Sequence, residues 1–206
     1  MKNNLKKALE KASGIENVAE RAVAIASVLS EALQEADQEP VLVGGSAVAF
    51  YTEGGYSTAD IDMVSEGGPK LIETMLGLGF EKLGKDFVQS QLKIYVECPS
   101  RSLKPSEQTL TLNVDGRPLK IISPEDLMVD RLCAFKFWQS GIDGACAIML
   151  LELQDLDESR LTQRALEEDV HDALVMIQKT HEEIIRKKLP KAEANRLLEQ
   201  RMQNLK

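Results

Sequence analysis

Histidine is nearly absent from this chain of 206 residues: only His171 and His181 occur. A histidine-rich zinc site is thereby excluded. The two lie ten residues apart on a predicted helix, nearly three turns from each other, and read as surface positions. Cysteine is scarce as well. Cys98, Cys133 and Cys146 are odd in number, lack metal-type spacing and sit among apolar neighbours, so they are expected to be buried free thiols. Aromatic residues make up 4% of the chain. The single tryptophan, Trp138, follows Phe135 and Phe137 and is expected to anchor a core or helix contact. No apolar run approaches a membrane span, and the first residues, Met-Lys-Asn-Asn-Leu-Lys-Lys, have no apolar signal core behind them. A cytoplasmic protein without membrane partners is expected.

Excess positive charge is also missing. The net charge is -8, unevenly spread: residues 160–206 hold ten Lys/Arg against eight Asp/Glu, while the other 159 residues hold fifteen against twenty-five. An acidic body argues against a broad nucleic-acid-binding face. The one basic cluster, Arg186-Lys187-Lys188 with Lys191, lies at a helix end before Pro190, where cations suit the helix dipole.

What remains is an ordinary globular composition, 43% apolar and 28% charged, of a size for one domain with a helical appendage. Residues 3–36 read as two helical pieces broken near Ser13-Gly14. Strand 41–43, a helix from about Ser46 to Tyr51, strand 60–64 and helix 69–77 follow. Phe87–Ser90 and Leu92–Cys98 are β candidates. Thr109–Val114 alternates and turns at Asp115-Gly116 into a return strand, Leu119–Ile122. Beyond Ser123-Pro124-Glu125-Asp126, a compact helix start, the pattern predicts helices alone, over 124–138, 141–153, 158–180 and 182–203. The fold class is α+β, a mixed sheet flanked by helices with a C-terminal helical region. Residues 1–38 form the N-terminal helices, 39–123 the α/β core and 124–206 the helical part.

The chemistry is concentrated in one ordered stretch. Val41-Leu-Val-Gly-Gly-Ser46 reads as a strand and a glycine turn opening a helix, and Asp60-Ile-Asp-Met63 follows after a glycine loop. Alternation puts Asp60 and Asp62 on one strand face, and two close carboxylates call for a cation between them. Helix-opening N–H groups offer a seat for phosphate oxygens. Glu97, a lone acid in the apolar strand Ile94–Cys98, is either the third acid of this set or an edge-strand surface glutamate.

This arrangement resembles the nucleotidyltransferase superfamily related to DNA polymerase beta. Val43-Gly44-Gly45 matches its hydrophobic-Gly-[Gly/Ser] element, Asp60-Ile61-Asp62-Met63 its paired acids, and Val96-Glu97-Cys98 its later acid. Asp130-Arg131-Leu132-Cys133-Ala134-Phe135, with Trp138 after it, is similar to a segment of small bacterial nucleotidyltransferase-like proteins of unassigned substrate. The resemblance covers most of residues 40–150. It implies that Asp60, Asp62 and Glu97 are catalytic and hold Mg²⁺ or Mn²⁺. It also implies that Gly44, Gly45, Ser46 and Thr58 bind the nucleotide, for instance ATP. Arg131 and Lys136 either reach a phosphate or belong to a solvated helix face. The implied activity moves a nucleoside monophosphate from a nucleoside triphosphate to an acceptor that is a protein, an RNA or a small molecule; some relatives belong to toxin–antitoxin pairs. The alternative is an inactive nucleotide-binding or partner-docking module. One departure stands out: Tyr56 occupies the loop position, two before Thr58, where many relatives carry arginine.

Overall fold

A computed structural model describes residues 2–203 and 205. The chain divides into two compact units, Met1–Ser123 and Pro124–Lys206. In the first, α1 (Lys2–Ser13) and α2 (Val18–Gln34) precede β1 (Val41–Leu42), α3 (Gly44–Tyr51), β2 (Asp60–Val64) and α4 (Gly68–Gly77). The remaining strands are β3 (Glu81–Leu83), β4 (Asp86–Gln89), β5 (Ile94–Glu97), β6 (Thr109–Val114) and β7 (Arg117–Ile122). Among the described residues these seven strands form one mixed sheet, ordered β3-β4-β5-β2-β1-β7-β6. β2 runs parallel to β5 and β1 parallel to β7, whereas β1 and β2 are antiparallel.

β1 is buried on both faces, whereas β2 and β5 alternate, with one face in the core and the other half-buried. Leu42, Ile61, Met63, Val96, Leu119 and Ile121 are almost fully buried. α2 begins at Asn17, whose side chain accepts the Glu20 N–H. Its apolar stripe, including Ile25, Ala26, Leu29 and Leu33, packs towards β7 and β2. Gln38 and Ser65 form a buried polar bracket: the Ser65 hydroxyl donates to Gln38 Oε1 at 2.6 Å, and Gln38 donates to the Gly67 carbonyl at 2.9 Å. The predicted helices and hairpin of this unit are present. β3 carries no apolar alternation and all three of its residues are exposed, which is why periodicity does not announce it.

The second unit contains α5 (Pro124–Phe137), α6 (Gly141–Leu150), α7 (Glu158–Glu167), α8 (His171–Lys187) and α9 (Lys191–Met202). The single helix expected over 158–180 is two. Asp169 takes φ 57° between them, a conformation that Asp tolerates. Glu167 and Glu168 fold back onto Arg164, and Val170 is fully buried. Lys188, at φ 51°, likewise ends α8 ahead of Pro190. Trp138 differs from expectation: it is 81% exposed, one residue beyond the end of α5, whose buried side is filled by Leu127, Met128, Leu132 and Phe135. Cys146 is buried and Cys98 and Cys133 are half-buried; none of the three is in a disulfide. Among the described residues no helix is long and apolar enough to cross a membrane.

Candidate functional site

The site is built where β1 turns into α3. Val43, the residue before the helix, is extended and has no polar side chain, so it cannot cap the opening N–H groups. A carboxylate from the neighbouring strand does so instead. Asp62 Oδ2 accepts from the Gly45 N–H at 2.8 Å and from the Ser46 N–H at 3.4 Å. Gly44 stands at φ +59°, and a Cβ there would lie 2.4 Å from Asp62 Oδ2, so both backbone and space require glycine. A Cβ on Gly45 would meet Tyr56 Cε1 at 3.2 Å and Thr58 Cγ2 at 3.3 Å. The loop bearing Tyr56 and Thr58 therefore lies directly over the first turn of α3.

Ser46 is turned away from this surface. It is fully buried, donates from its hydroxyl to the Asp60 carbonyl at 2.6 Å and accepts from the Asp62 N–H at 3.3 Å. The hydroxyl thereby pins α3 to β2. Thr58 Oγ1 accepts from the Asp60 N–H at 3.3 Å and fixes the entry to β2.

The acids come together by register. In the parallel β2–β5 pair Asp60 lies opposite Tyr95 and Asp62 opposite Glu97, so the three carboxylates share one sheet face. Ile61, Val96 and Met63 point to the other face and are buried. Lys85 Nζ approaches Glu97 Oε1 at 3.4 Å, an exposed pair.

Sequence reasoning missed two further members of this face, Asp86 and Tyr95. Register places Val88 opposite Tyr95, so Asp86, two residues earlier, lies on the same side as Glu97. Asp86 is buried and accepts from the Tyr95 hydroxyl at 3.0 Å and from the Cys98 N–H at 3.0 Å. The available signal was the alternation Asp86-Phe-Val-Gln89, which starts the strand one residue before Phe87. The hydrogen bond to Asp86 holds the Tyr95 phenol above its ordinary pKa, and the Glu97 and Asp60 charges add to the shift. Burial, followed by the Asp86 charge, pushes the Cys98 thiol up to about 11.

Three hard carboxylates on adjacent strands are the donor type that Mg²⁺ or Mn²⁺ takes. By type and by register the residues fit such an ion. As they stand, no group of three or more His, Cys, Asp or Glu among the described residues is drawn together tightly enough to hold one. Asp62 is bound to the α3 N-terminus and Glu97 to Lys85.

Arg131 and Lys136 belong to the helical unit, and both are engaged within it. Burial alone would lower the Arg131 guanidinium's pKa; Asp130 and Asp143, both hydrogen-bonded to it, outweigh that and hold it above its ordinary value. Lys136 Nζ donates to the Asp169 carbonyl at 2.6 Å and to Asp172 at 2.9 Å.

The chain's likeness to known proteins lies in its fold. No family model and no curated protein matches the chain. Among solved structures it is similar to the crystal structure of an antigenic nucleotidyltransferase-like protein from Paracoccidioides brasiliensis. The TM-score is 0.52 and the identity 17%, over 74% of this chain and 91% of the other. The fold is nucleotidyltransferase-like. At this identity the likeness speaks of the fold and leaves the chemistry to the residues.

Proposed function

We propose that the protein is a divalent-metal-dependent nucleotidyltransferase, moving a nucleoside monophosphate from a nucleoside triphosphate to an acceptor hydroxyl, which loses its proton, and releasing pyrophosphate. One observation carries the reading: Asp60, Asp62 and Glu97 share a face on parallel neighbouring strands, beside a glycine-opened helix N-terminus. The nucleotidyltransferase-like fold agrees with it. In this reading the N–H groups of Gly45 and Ser46 bind phosphate oxygens, with the positive end of the α3 dipole favouring the anion. Gly44 lets that backbone approach closely, while Thr58 and the Ser46 hydroxyl hold β2 in register with α3. Asp60, Asp62 and Glu97 would hold Mg²⁺ or Mn²⁺, which supplies charge stabilisation to the phosphate oxygens when bound. In this reading Glu97 would also take a proton from the attacking hydroxyl. The acceptor is a protein, an RNA or a small molecule, and the acidic charge balance disfavours a long RNA.

Thermal denaturation tests the reading. Each nucleoside triphosphate is added with and without Mg²⁺ to wild type and to Asp60→Asn. The expected result is a metal-dependent rise in midpoint for wild type only. A rise equal in both proteins, or no rise with any nucleotide, contradicts it.

The contacts of Asp62 with Gly45 and Ser46, and of Glu97 with Lys85, favour a second reading. If those contacts persist in the bound protein, it is a nucleotide-binding module without transfer. Nucleotide binding that is indifferent to Mg²⁺ would distinguish this reading from the first.

A further inference from the structure

A cavity of about 190 Å³ opens on the face of β2 opposite the carboxylates. Its walls come from the α1–α2 connection and the start of α2, from Thr58 to Ile61, and from Leu92 to Ile94. Ile61 is part of the lining, and alternation therefore places Asp60 and Asp62 on the far side of the strand. Seven of the eleven lining residues are apolar, Val18, Ile61 and Ile94 among them. Two cations, Arg21 and Lys93, complete it, and no carboxylate lines it. That is a notable imbalance in a chain of net charge -8.

The fold positions the Arg21 guanidinium, and it holds the backbone, though not the exposed side chain, of Lys93. Arg21 is half-buried, and its Nη1 donates to the Ile15 carbonyl at 3.0 Å, which holds the guanidinium at the wall; among the described residues its other N–H groups have no hydrogen-bond acceptor. Lys93 sits in the tight turn between β4 and β5 at φ 55°, left-handed backbone that a lysine rarely adopts. No described residue hydrogen-bonds to its ammonium or pairs with it. Thr58 Oγ1 accepts from the Asp60 N–H, so its hydroxyl proton is free to be donated. A guanidinium, an ammonium and a hydroxyl at the rim of an aliphatic hollow match a ligand with a doubly charged head and a compact apolar body. The volume is below that of ordinary drug-sized pockets, which start at about 300 Å³. The ligand is accordingly smaller than a nucleotide.

We propose that this cavity binds a small phosphate monoester, its dianion held by Arg21, Lys93 and Thr58 and its apolar body lodged against Val18, Ile61 and Ile94. The site is separate from the carboxylate face and does not rest on the transferase reading. Because Thr58 also packs over Gly45, a ligand here would bear on the loop that covers the α3 N-terminus.

The test uses the full chain and phenyl phosphate as probe, with inorganic phosphate and phenol as the two halves of that probe. Calorimetry reads affinity, and hydrogen exchange maps protection on wild type. Phenyl phosphate is expected to bind saturably and at least about tenfold tighter than either half. It should protect residues 13–21 and 92–94, and Arg21→Gln or Lys93→Asn should weaken it about tenfold, the value of one charge-assisted hydrogen bond. Arg21→Lys should restore part of the loss. Lys93→Asn suits a left-handed turn and keeps the fold if Arg21→Gln does not. The proposal is overturned if phenyl phosphate binds no tighter than inorganic phosphate, if both substitutions leave affinity unchanged, or if protection falls on residues 44–46 instead.

Discussion

Gly44 and Asp62 make the site's backbone and its chemistry inseparable. The carboxylate that would hold a cation is the same group that caps α3, and it can approach only because residue 44 has no side chain. Gly44→Ala combines a left-handed backbone with a clash, so it should destabilise the protein by about 1–3 kcal/mol in urea titration. Tyr95 offers a second residue-scale check. Its folded pKa is raised, so the hydrogen bond to Asp86 contributes stability at pH values below 10.0 and loses it as pH rises through the folded value. The phenolate absorbance step that disappears in Tyr95→Phe should therefore have its midpoint above 10.0. A midpoint at or below 10.0 removes Asp86 as its partner. Cys98 and Cys146, each with a thiol pushed up to about 11 by burial, should alkylate slowly at neutral pH, as read by mass spectrometry.

Among the elements, α5 and α7 are joined by an ionic hub that the helix-start pattern conceals. Glu125 and Asp126 read from sequence as acids suited to an opening turn, yet both are buried. Asp126 pairs with Arg160 and Arg164, and Glu125 accepts from the Asp157 N–H at 3.0 Å. Arg164 also binds Glu167 and Glu168 and keeps only 4% of its side chain exposed. Asp126→Ala leaves this guanidinium buried without its main partner and should cost about 3–5 kcal/mol in chemical denaturation of the full chain. The same hub explains why α7 ends where no glycine or proline marks an end: the acids that close it are pulled back onto Arg164. Periodicity locates apolar faces, and so α2, β2, β6 and β7 were legible. It is blind to side-chain partners on other elements, which hid the Asp126–Arg164 pair and the Tyr95–Asp86 bond.

Across the whole molecule, the first unit contains every element of the candidate site. The second holds Arg131 and Lys136 in ion pairs of its own. The site's composition was legible because glycine pair, aspartate pair and later glutamate follow each other in an order that a parallel β2–β5 pairing turns into one face. Its present state was not legible, since the turning of Asp62 onto α3 and the approach of Lys85 to Glu97 are decided by side-chain rotation rather than by spacing. The most direct measurement is transfer of label from nucleoside triphosphates carrying a labelled α-phosphate, in cell lysate with added Mg²⁺. Wild-type protein is compared with the double variant Asp60→Asn/Asp62→Asn. Label should move to an acceptor only with wild type, and should stop when the metal is chelated. Equal transfer by both proteins, or transfer that survives chelation, would contradict a metal-dependent transferase built on these aspartates.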